Sequence, residues 1–198
     1  MWTYLTDLLR LSLRAPGDAA ARLLRSFPGA ATAWQALVLV TCLSVVLTAL
    51  IQGAMPMMPM DAEGGSFGLS PFGYAGLLGV SLVLLAGGVT ATGRMLGGVG
   101  RFASALALVV WLEVLAMVLR LVQGGLILVL PPVAGVIGLA GLVWLFWCLA
   151  RFIQVLHGFR GVGRAMAALF LAFIAIGTAL ALLLALTGLT AQGGLPNV

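Results

Sequence analysis

The chain has 198 residues, 63% of them hydrophobic and 8% charged, with a mean hydropathy of +1.21. A water-soluble domain of this size has too much surface for its volume to hide that much apolar matter, so a soluble fold is excluded and a lipid-embedded one expected. The net charge of +5 comes from ten arginines and no lysine, and because those arginines flank apolar runs, the basic balance fits membrane orientation and not nucleic-acid binding.

In chain order, residues 1–30 carry charges throughout and lack the n-region and h-region of a cleaved signal peptide. They read as a cytoplasmic amphipathic segment. Trp2, Leu5, Leu8, Leu9 and Leu13 form one apolar face, with Thr3, Asp7, Arg10 and Arg14 opposite at helical steps. Pro16-Gly17-Asp18 breaks the chain, and a second short helix presents Leu23, Leu24 and Phe27 beside Arg22 and Arg25. Trp2, Arg10, Arg14, Arg22 and Arg25 are the expected membrane-interface residues, apolar sides down and arginines among anionic headgroups; packing on a partner protein is the alternative.

Five apolar runs follow, each near the length of about 20 residues that a bilayer core requires. They are expected over 31–52, 72–92, 102–122, 132–154 and 165–187. The division between the third and fourth is placed among Gln123-Gly124-Gly125 and Pro131-Pro132, both helix breakers. The domain plan is thus a segment 1–30, a five-helix transmembrane domain over 31–188 and a short external tail, 189–198. The fold class is all-α: a polytopic bundle of about five transmembrane helices preceded by interfacial amphipathic helices.

Nine of the ten arginines fall on one side, before the first run, around the connection between the second and third, or from the end of the fourth to the start of the fifth. Only Arg120 lies toward the opposite side. The positive-inside rule then puts the N-terminus in the cytoplasm and the C-terminus outside, a parity that five spans satisfy. The lysine-free, Ala/Leu/Gly/Arg-rich composition points to a bacterial gene, hence to the bacterial inner membrane. Gly98-Val99-Gly100-Arg101 and Gly161-Val162-Gly163-Arg164, followed by Ala105-Leu106 and Ala168-Leu169, suggest two related hairpins.

Few residues could carry chemistry. Glu113 is the one acid inside an expected span; ionised there it costs at least about 2.5 kcal/mol, so it should be protonated, paired or turned to the bundle interior. It reads either as a proton- or ion-coupling site or as a packing polar residue. Arg120 lies two turns further on the same face, but about 10.5 Å of rise argues against a direct bridge and for snorkelling to the outer interface. Met55, Met57, Met58 and Met60 in the first external connection are weak candidates for Cu(I), whose taste is for thioethers; an apolar loop at the interface is the plainer reading. Cys42 and Cys148 read as small buried side chains, and His157 has no carboxylate to pair with. The glycine-rich connections lack the lysine of a phosphate loop. Ala134, Gly135, Gly138 and Gly141 offer a small-residue face for close helix contact. No catalytic set, cofactor or resident metal is expected, and so no enzyme.

The segment Ala15-Pro16-Gly17-Asp18-Ala19-Ala20-Ala21-Arg22-Leu23-Leu24, the five runs and the two Gly-Val-Gly-Arg entries together resemble the bacterial branch of the Yip family, the Ypt/Rab-interacting membrane proteins. The resemblance covers most of the chain. It implies a polytopic inner-membrane protein without an assigned reaction; the interfacial N-terminal helices and close-packing glycine faces motivate a non-enzymatic role in membrane organisation or as a partner-binding scaffold, with the bilayer, a further copy or another membrane protein as partner. The Asp-Leu-Tyr-Gly-Pro signature of eukaryotic members is absent, so GTPase binding is not carried over. A small transporter or permease subunit using Glu113 is the alternative function.

Overall fold

The structure, a computed structural model, describes residues 2–27, 29–53 and 71–186. These form seven helices: α1 (Trp2–Arg14), α2 (Pro16–Ser26), α3 (Ala30–Gly53), α4 (Pro71–Met95), α5 (Phe102–Ile127), α6 (Pro131–His157) and α7 (Val162–Leu186). Five of them, α3 to α7, are long and apolar enough to cross a bilayer. At 1.5 Å per residue the 26 residues of α5 reach about 39 Å, more than the roughly 30 Å of a hydrocarbon core. The protein is a multi-pass membrane protein.

Helix ends follow local chemistry. Prolines open α2, α4 and α6, where a missing N–H costs nothing. At the end of α4, Gly98 N–H donates to the Gly93 carbonyl (2.9 Å), with Gly97 left-handed at φ 86°. The end of α6 repeats the device: Phe159 N–H donates to Gln154 (3.0 Å), with Gly158 at φ 67°. The expected break at Gln123-Gly124-Gly125 does not occur; α5 runs through it to Ile127 and the turn falls at 128–130. In lipid no water competes for the backbone, so a glycine pair does not end a helix. Gly124 instead serves packing, since a Cβ there would stand 3.2 Å from Ile51.

The bundle is built around α5, which is far more buried than the other spans and packs against α3, α4 and α6, with α7 closing the gap between α4 and α6. Trp34 lies by Phe102 and Ile51 by Gly124, so α3 and α5 run parallel. On α6, Gly138 faces Gln123, Gly141 faces Leu119 and Ala134 is buried, so three of the four small residues are packed; a Cβ on Gly135 would meet nothing within 4 Å. Elsewhere the outer faces are apolar, as Leu39 at 67% and Phe170 at 68% exposure show, the pattern of side chains that meet lipid. Cys42 belongs to this outer face and is exposed, contrary to expectation; Cys148 is buried.

The N-terminal pair packs partly on the protein's own spans: α1 packs on α2, and α2 on α6 and α5, while Leu13 of the expected apolar face stays exposed. Leu8, Ser12, Ala19 and Ala20 have no exposed surface. Amphipathic periodicity says only that a face will be covered, and here the faces of α5 and α6 cover it.

Candidate functional site

Three polar clusters stand out in an otherwise apolar molecule. The first sits at mid-bundle. Glu113 is 9% exposed and lies eleven residues into α5. Ser44 Oγ on α3 donates to Glu113 Oε1 at 2.7 Å, and Arg120 Nη2 forms an ion pair with the same oxygen. The expectation that the rise between Glu113 and Arg120 forbids a bridge is therefore wrong. Side chains on a helix lean toward its N-terminus, so the long arginine stem reaches back along α5 to the acid. Arg120 Nε also donates to the Ala116 carbonyl (3.4 Å), holding the guanidinium against its own helix. For an acid in hydrocarbon, an internal partner outweighs the modest gain of an arginine snorkelling outward. This is the sole ion pair among the described residues.

Beyond it lies a cavity of about 410 Å³, bounded by Thr48, Arg120, Gln123 and apolar residues of α3, α5 and α6. Glu113 and Arg120 are thus brought together with a third member, Ser44, that the sequence gave little reason to select. Its one signal is a hydroxyl inside the first apolar run.

The second cluster joins the two turns at the arginine-rich end. His157, 2% exposed, accepts a hydrogen bond at Nδ1 from Gly100 N–H (3.2 Å) and stacks on Phe159 at 5.3 Å. Its Nε2 is buried and has no hydrogen-bond partner among the described residues. Gly93, Gly98 and Gly100 wall the imidazole so closely that a Cβ on any of them would collide with it. Arg94 Nε donates to the Gly100 carbonyl (2.9 Å), and Thr92 Oγ1 bridges α4 to the Ala168 carbonyl of α7 (2.8 Å). The glycines of the first Gly-Val-Gly-Arg copy thus make room for a histidine from the second hairpin. In the second copy, a Cβ on Gly161 or Gly163 would meet nothing within 4 Å.

The third cluster ties the N-terminal layer down. Trp111 Nε1–H donates to Ser12 Oγ at 3.0 Å, and Ser12 Oγ donates to the Leu8 carbonyl at 2.8 Å. Cys148 Sγ lies 4.0 Å from the Ser12 carbonyl. Trp111 is nine residues from the start of α5 and Cys148 nine from the end of α6, so Ser12 sits about 13.5 Å along the bundle from its arginine-rich end. Of the interface candidates, Arg10, Arg14 and Arg25 are exposed, and Arg22 lies over the Tyr4 ring at 5.2 Å. Trp2 opens α1. Met55, Met57, Met58 and Met60 lie outside the described residues, as does the 189–198 tail. No group of three or more His, Cys, Asp or Glu converges as a metal site among the described residues.

Comparison with known proteins agrees with the architecture. The family model described as the Yip1 domain matches residues 10–184. No curated protein and no solved structure matches the chain.

Proposed function

The chain belongs to the Yip1-domain family, and from that premise we propose a non-catalytic membrane protein that organises the bilayer around its arginine-rich end and holds a membrane-protein partner or a further copy there. One observation carries the reading: α1 and α2 are anchored beside α5 and α6 through Ser12 and Trp111, well below the helix ends. Among the described residues the bundle has seven helices at one end and five at the other, which supports a wedge in one leaflet. By the positive-inside rule that leaflet is the cytoplasmic one of a bacterial inner membrane, with the N-terminus inside and the C-terminus outside. Arginines among anionic headgroups add attraction on the same side.

The test is reconstitution into giant vesicles from which thin membrane tethers are drawn. The wedge predicts enrichment on tethers whose convex leaflet holds the arginine-rich end, and loss of that enrichment when Ser12→Leu disrupts the anchor. Equal density on tether and vesicle would remove the reading.

A second reading, a small transporter or permease subunit, draws on the cavity of about 410 Å³ against Arg120. Under it, Glu113→Gln abolishes a proton-linked flux in proteoliposomes. The ion pair and the Ser44 hydrogen bond weigh against it, because a coupling carboxylate has to be released to act. A flux unchanged by the substitution, or no flux at all, ends it.

A further inference from the structure

A slot of about 290 Å³ runs between the N-terminal layer and the faces of α3 and α5. Its walls are apolar over most of their length, among them Ala36 and Val40 from α3 and Val110 and Val114 from α5. Polar lining comes from Thr32, the Trp111 indole and the pair Tyr4 and Ser26, whose Oη and Oγ form a hydrogen bond of 2.5 Å. Arg22 lies over the outer face of that same Tyr4 ring, and Arg25 is exposed next to Ser26. Neither arginine forms an ion pair among the described residues, and Asp18, one turn back from Arg22, is exposed.

This arrangement has two chemically distinct ends. A narrow apolar slot at leaflet depth excludes water and accepts a linear hydrocarbon, whereas two guanidiniums without an ion-pair partner among the described residues, beside the lining residues Tyr4 and Ser26, suit a phosphate. The volume is at the small end of ligand sites, about 300–1,000 Å³, so it suits one chain and not a whole lipid. We infer that the slot between α1–α2 and α3–α5 holds one acyl chain of an anionic glycerophospholipid, with its headgroup phosphate against Arg22 and Arg25. This site is separate from the mid-bundle ion pair and does not depend on the wedge reading.

The full chain, purified in mild detergent with an equimolar mixture of phosphatidylglycerol and phosphatidylcholine bearing identical acyl chains, is examined by native mass spectrometry. One phosphatidylglycerol per chain is expected to be retained, preferred on the order of tenfold if surface electrostatics at two arginines provide the discrimination. Arg22→Gln with Arg25→Gln should bring that preference close to unity. Ala36→Phe, which fills the slot, should abolish retention of either lipid. Phosphatidylglycerol carrying a photoreactive group on its acyl end locates the chain without any substitution, and should label the stretches around Ala36–Val40 and Val110–Val114. Equal retention of the two lipids by the wild-type protein, retention that survives Ala36→Phe in a folded variant, or labelling spread over the outer faces of α6 and α7 would each overturn the inference.

Discussion

Glu113 and Arg120 stand seven residues apart on one helix and share an ion pair inside the bundle, with Ser44 of α3 hydrogen-bonded to the same carboxylate oxygen. A charge in hydrocarbon is stable only while its partner remains. Arg120→Leu should therefore cost about 2–4 kcal/mol of bundle stability, somewhat below the usual value for a broken buried pair because Arg120 keeps 28% of its side-chain surface exposed. Replacing both residues with leucine should recover most of that loss, since no uncompensated charge is left. Unfolding in detergent–denaturant mixtures measures both; a double variant as unstable as the single one would contradict the pairing.

Ser12 and Trp111 couple the N-terminal layer to α5. Trp111→Phe deletes the donor and also the indole's five-membered ring at a buried position, so it should cost about 2–4 kcal/mol, a hydrogen bond of about 0.5–1.5 kcal/mol plus a cavity. Ser12→Ala removes the same bond, together with the one to the Leu8 carbonyl. The two costs should not add, and a double-mutant cycle should give a coupling of about the bond's own size. Additivity within error would mean that the layer is held by apolar packing alone.

Gly158 closes α6 in a left-handed conformation at φ 67°. A Cβ there meets no atom within 4 Å, so the cost of Gly158→Ala is conformational, about 1 kcal/mol. Gly158→Asn should cost less, because asparagine tolerates that region. Melting of the two variants side by side decides it, and an alanine variant at least as stable as asparagine would refute the argument.

The spans and their number were legible because lipid imposes one rule, length of apolar run, that composition states directly. Pro16 and Pro132 marked the starts of α2 and α6 to within a residue, because proline lacks the N–H that a helix interior needs and its first turn does not. The reading failed where a soluble-protein rule was applied inside a membrane: Gly124-Gly125 does not break α5, because no water competes for its backbone. It failed again at Arg120, where rise per residue was counted but the reach of the side chain was not. The Ser44 and Trp111 partners could not be read at all, since each comes from a helix pairing that no local periodicity encodes. His157 looked inert for want of a carboxylate, whereas its real neighbours are glycines, which announce themselves only by making room.

That room supplies the last test. A Cβ on Gly98 would collide with the His157 ring, and one on Gly100 would stand 2.6 Å from its Cε1. The imidazole is held by the Gly100 N–H on one side and Phe159 on the other, so it cannot simply swing aside. Gly98→Ala and Gly100→Ala should each cost about 1–3 kcal/mol, the usual price of overpacking. Gly125→Ala is the control, since its Cβ would enter open space and improve helix propensity; it should be neutral or stabilising by up to about 1 kcal/mol. Adding His157→Ala to Gly98→Ala should restore most of the loss, because the new methyl then occupies space the ring has vacated, whereas His157→Ala alone leaves a cavity and destabilises. Thermal melting of the five variants in detergent discriminates the cases. If the double variant is less stable than either parent, the glycines matter for the backbone of the turn and not for the histidine it encloses.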